Sequence, residues 1–77
     1  MIAGVFVLPN CRAVHTIGMR MPIDVAHVSR SNKVLRIRTI PPGRIGRPVL
    51  RAGAVMEAAA GAFTNWGVSP GDMLEIR

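Results

Sequence analysis

Cys11, His15 and Asp24 are the side chains best suited to chemistry in this chain, and they lie close together in CRAVHTIGMRMPIDV. A thiol beside an imidazole is a nucleophile with its base; an imidazole oriented by a carboxylate is a recurring half of acid/base and metal sites. Spacing separates the two options. If residues 11–15 are extended, four steps of about 3.3 Å put Cys11 and His15 about 13 Å apart, too far to share a proton or a metal ion. On a helix they would be neighbours, but Val14, Thr16 and the interrupting Gly18 favour a strand. Cys11 then reads as a small buried thiol. His15 with Asp24 is the better pair, because residues 18–22 suffice to fold one strand back on another and bring ring to carboxylate. The same contact also satisfies a buried aspartate with no reaction involved.

The largest patch of chemistry is basic. Nine arginines and one lysine face four carboxylates, a net charge of +6, which favours encounter with phosphates, anionic surfaces or acidic partners. Arg36, Arg38, Arg44, Arg47 and Arg51 cluster in and beside a proline-rich loop, while Arg12 and Arg20 flank His15, where either is placed to hold an anionic ligand. Guanidinium binds oxyanions bidentately, although coding bias toward arginine explains the same composition. Nucleic-acid binding needs aromatic stacking or a groove-reading helix, and Trp66 is the single tryptophan; it reads as a lid on one end of the fold or as a ligand-stacking ring. Glu57 interrupts an apolar run and is placed on the solvent face or opposite Arg36 or Arg38 across a sheet. Met19 and Met21 read as core filler rather than soft-metal ligands. A single cysteine builds neither an internal disulfide nor, without a histidine cluster, a structural zinc site, and no metal or cofactor is expected.

These groups must be held by a small fold. The 77 residues are read as one domain spanning 1–77, with 49% hydrophobic residues but three aromatics, so the core is expected from Val, Ile, Leu, Met and Ala. Residues 4–8 read as a buried strand stopped by Pro9-Asn10, and residues 13–17 as a second strand. Residues 22–28 and 33–40 form the clearest hairpin, with Asn32 available for the positive φ of its turn. Residues 41–48 hold three prolines and two glycines and are expected to be irregular. A strand over 52–59, a short helix near 61–66 closed by Gly67, and a last strand over 73–76 complete the chain. In the closing VSPGD, Gly71 suits a positive φ and Asp72 is placed to accept backbone N–H bonds, so both read as structural.

Two segments resemble the family called domain of unknown function 192: His15-Thr16-Ile17-Gly18-Met19 with Pro22-Ile23-Asp24-Val25, and Met56-Glu57 with Gly61 leading to Gly71-Asp72. The resemblance runs over nearly the whole chain and implies a small, barrel-like domain with no assigned activity. Family members usually carry about one more strand before the equivalent of Gly4, and a large apolar residue where this chain has His27. The resemblance therefore implies a missing N-terminal segment, an uncovered sheet edge on which a second copy pairs, and one altered core position.

The expected fold is mainly β (α+β): a small barrel-like antiparallel sheet of about five or six short strands with one short helix. The expected function is a noncatalytic binding or structural module for an anionic ligand or protein partner, with Arg12, Arg20, Arg44, Arg47 and Trp66 as ligand contacts and Cys11, Gly18, Met19, Gly71 and Asp72 as structural motif. The alternatives are a hydrolase-like or metal-assisted enzyme using His15 and Asp24, and a nucleic-acid accessory protein. The opening residues have no basic leader and too few apolar positions for a spanning helix, so a cytoplasmic location is expected.

Overall fold

The segment Ile23–Ser29 (β2) is apolar at Ile23, Val25, Ala26 and Val28 and is buried from Asp24 to Val28, which suits the middle of a sheet with both faces covered. In the computed structural model, which describes residues 5–74, β2 pairs antiparallel with Val34–Ile40 (β3) on one side and Ala52–Ala59 (β4) on the other. Phe6–Pro9 (β1) pairs antiparallel with β4 alone, giving the order β1-β4-β2-β3. The β2–β3 hairpin forms as its sequence predicts: Asn32 has φ 66° and donates its N–H to the Ser29 carbonyl at 3.0 Å, and the Ser29 N–H reaches the Lys33 carbonyl at 2.8 Å.

Alternation along β2 divides the core in two. Ile23, Val25 and His27 face one way, where Val25 packs with Val14, Ile40 and Val55 and with the half-buried Cys11. Asp24, Ala26 and Val28 face the other way, where Ala26 and Ala58 pack on Phe63 of the short helix Ala62–Asn65 (α1). Residues 11–22 and 41–49 thus lie over the first face and α1 over the second.

Among the described residues the sheet has four strands and is not closed into a barrel, in place of the expected barrel-like sheet of about five or six. Residues 13–17 form no strand; they contribute a single bridge, His15 to Ile45. The reason is Thr16: its hydroxyl takes the Arg44 N–H that the next ladder bond would use, and its carbonyl accepts the Gly43 N–H instead, so pairing stops at that bridge. At the C-terminal end, where a strand is expected over 73–76, Met73 makes one bridge to Lys33 and the Leu74 N–H donates to the Asn32 carbonyl at 2.8 Å without a strand forming over residues 73–74; residues 75–76 lie outside the described residues. Gly4 lies outside them as well. Where a buried strand is expected over 4–8, Val5 is half-buried against the Phe63 cluster but β1 itself is exposed, with Phe6 at 60% exposure, because it is an edge strand paired on one side only. Pro9 is compatible with that edge, where a missing N–H breaks no ladder.

Gly67 closes α1 with φ 70° as expected. Gly71 has φ 92° and the Asp72 carboxylate accepts the Ser69 N–H at 2.8 Å, so this turn is built as the sequence suggests. Gly18 also has a positive φ, 86°, where residues 17–18 turn toward Met19. Met19 and Met21 are exposed, and neither fills the core.

Candidate functional site

Asp24 is 2% exposed, and its carboxylate is fully engaged. It accepts Thr39 Oγ1 at 2.7 Å, the Gly61 N–H at 3.0 Å and the Phe63 N–H at 3.4 Å. The N-cap residue of α1, Gly61, has no side chain to cap the helix, so the sheet supplies the acceptor that the first helical N–H groups require. His15 is exposed and belongs to the segment over the Val25 face. The structure therefore leaves His15 and Asp24 on opposite sides of the sheet. Cys11 donates its thiol to the Ala13 carbonyl at 3.0 Å and packs against the Val25 cluster. Among the described residues no three His, Cys, Asp or Glu side chains converge as a metal site would require.

Arginines converge elsewhere. The loop at 41–48 is pinned over the edge of β3 by Thr16, which is 0% exposed. Its hydroxyl donates to the Pro41 carbonyl at 2.6 Å and accepts the Arg44 N–H at 2.8 Å. Its backbone N–H reaches the Arg44 carbonyl at 2.7 Å, and its carbonyl accepts the Gly43 N–H at 2.8 Å. Next along the loop, the Gly46 N–H donates to the Val14 carbonyl at 2.8 Å. A Cβ at Gly46 would stand 3.0 Å from that carbonyl oxygen and 3.3 Å from Ile40 Cδ1, so a larger residue there would push the loop or its neighbours apart by a few tenths of an ångström.

Between this loop and the sheet lies a cleft of about 390 Å³. Arg38 from β3 and Arg44 and Arg47 from the loop supply its charge, and Ile40, Pro41 and Ile45 supply apolar wall. No Asp or Glu lines it. At the inner side stands His27, 3% exposed, with both ring nitrogens buried and without hydrogen-bond partners. Burial lowers its pKa from 6.5, and the neighbouring Arg36 guanidinium lowers it further. The Arg12 carbonyl lies near enough to favour the proton, although neither nitrogen reaches it in hydrogen-bond geometry.

The expected ligand contacts thus divide. Arg44 and Arg47 meet at the cleft. Arg12 lines a separate hollow with Asn10 and Arg30, and Arg20 is exposed beyond Met19. Trp66 is 48% exposed and stacks edge-on against Phe63, with centroids 5.9 Å apart, on the other face of the sheet. Glu57 is half-buried and shares a row with Val25 and Arg38, standing two strand spacings from that arginine. Two residues were not singled out as parts of this site: Thr16, which anchors the cleft's loop and is visible only as a member of HTIGM, and His27, which lines the cleft and whose signal was an imidazole at an inward position of an apolar strand.

Fold and site together define a small open-sheet β-domain with an arginine-lined cleft under a pinned loop. The chain belongs to the DUF192 family, described as "Uncharacterized ACR", whose family model matches residues 3–76. No curated protein and no solved structure is significantly similar to it. No helix among the described residues is long and apolar enough to cross a membrane.

Proposed function

We propose that this domain is a noncatalytic binding module for a small anionic ligand, seated between the loop at 41–48 and β3. The observation that supports it best is the convergence of Arg38, Arg44 and Arg47 on one cleft with no carboxylate in its lining. Guanidinium groups from two elements, a strand and a loop whose backbone is anchored by a buried threonine, offer forked donors to an oxyanion from more than one direction. The volume falls in the range of small-molecule sites, and the apolar wall suits a ligand with a short carbon body. A nucleic-acid role is less well supported, because Trp66 and the arginine cleft lie on opposite faces and no aromatic ring interleaves with the charge. A hydrolase-like site is less well supported because His15 and Asp24 are not paired.

The test is an amide and guanidinium NMR titration with sulfate at constant ionic strength. Saturable shifts confined to Arg38 and residues 43–47 are expected. Shifts that never saturate, or that spread over all arginines alike, would contradict the site.

A second reading concerns the other edge. Phe6, Val7 and Leu8 of β1 are exposed, and an apolar edge strand is a template for pairing with a second copy. Sedimentation is expected to show a dimer that Val7→Lys dissociates; a monomer at high protein concentration contradicts this reading.

A further inference from the structure

Burying a polar group without a partner is unfavourable, and native structures avoid it except where the group serves something else. His27 breaks this rule twice in one ring, since Nδ1 and Nε2 are both buried and unpartnered. It stands at the wall of the arginine cleft rather than deep in the apolar core. Arg36 is its cross-strand neighbour in β3, and Arg38, Arg44 and Arg47 line the same space. From β4 it meets Val55, with Glu57 one step further on the same face. From the segment over the sheet it meets the Arg12 carbonyl, and His15 bridges to Ile45 at the cleft's outer side.

The protein's own charge around the ring is therefore mostly positive, which disfavours an imidazolium. An oxyanion among the arginines reverses that balance. A half-turn about Cβ–Cγ exchanges each ring nitrogen with a carbon, so the ring is able to turn an N–H toward the cleft without moving its backbone. A protonated ring donates from both nitrogens: one toward the anion, the other toward the Arg12 carbonyl.

We propose that His27 is a ligand-binding residue of this cleft, and that it holds an oxyanion of the sulfate, phosphate or carboxylate class as an imidazolium, so that the anion enters together with a proton. This rests on the arginine cleft being the binding site. The proton comes from solvent, goes onto the free ring nitrogen and leaves again with the ligand; no covalent bond forms.

The experiment is calorimetric titration with sulfate, which takes up no proton of its own near neutral pH, in two buffers of different ionisation heat. It is run on His15→Gln protein so that one imidazole remains. Proton uptake of up to one per bound sulfate is expected. Affinity is expected to fall as pH rises between the ring's free and bound pKa values, by at most about tenfold per pH unit. His27→Gln should bind sulfate more weakly and without proton uptake. Saturable binding with no proton uptake and a flat pH profile overturns the role of His27 and leaves the cleft standing. Absence of saturable sulfate binding overturns both.

Discussion

Three buried polar residues are treated differently by this fold, and their substitutions should separate accordingly. Asp24 has three donors converging on its carboxylate. Asp24→Ala strands those donors and removes the cap of α1, so it is expected to destabilise by about 3 kcal/mol, read as a lower urea midpoint. His27 is the opposite case, because its nitrogens have no partners to lose. His27→Leu is expected to raise stability by about 1–2 kcal/mol with an unchanged urea m-value; an equal or lower midpoint would show that the ring is better satisfied than it looks. The same ring predicts an acid limb. Its pKa is about 6.5 in the unfolded chain and lower in the folded one, chiefly by burial. Between those values the unfolded state holds more protons, so the stability is complete above pH 6.5 and declines as pH falls toward the folded value. His27→Leu should remove that part of the acid dependence while leaving the carboxylates' part.

At the scale of elements, the loop that forms the cleft is positioned by Thr16. Thr16→Val keeps the shape and deletes the hydroxyl, leaving the Pro41 carbonyl and Arg44 N–H without a side-chain partner. A loss of about 1–3 kcal/mol is expected, together with weaker sulfate binding, since Arg44 follows the same anchor. Unchanged affinity would mean that the loop holds its arginines without Thr16. The hairpin around Asn32, the short helix before Gly67 and the Gly71-Asp72 turn were legible in the sequence because each is specified by local chemistry: a positive φ, a helix stop, a carboxylate within reach of backbone N–H groups. The segment at 13–17 was not, because its β-branched pattern says extended and nothing local says that Thr16 bonds a loop more than twenty positions away. The same blindness applies to Asp24, whose partners in α1 come from distant sequence. His15 and Asp24 looked like a pair for the same reason in reverse: they are near in sequence, but the pleat sends one side chain away from the segment that carries the other. In the site itself, Arg44 and Arg47 were legible as a basic loop, whereas the wall they face was not.

Over the whole molecule, a charge of +6 is a poor guide by itself, since it predicts attraction to any polyanion. The fold concentrates three of the arginines around one cleft and leaves the aromatic ring on the far face, which turns a diffuse charge into a local site. Diffuse attraction would fall steeply with salt and depend on the number of arginines rather than their place. A built cleft depends on which arginines are present. The most direct measurement is the sulfate affinity of the intact chain and of its Arg44→Ala/Arg47→Ala variant, by calorimetry at one fixed ionic strength, with Arg30→Ala/Arg51→Ala as the charge-matched control. A loss of about tenfold or more in the first variant is expected, since charge-assisted bonds to an oxyanion are worth about 1.5–3 kcal/mol each, with little change in the control. Equal losses in the two variants, or none in either, would contradict the cleft.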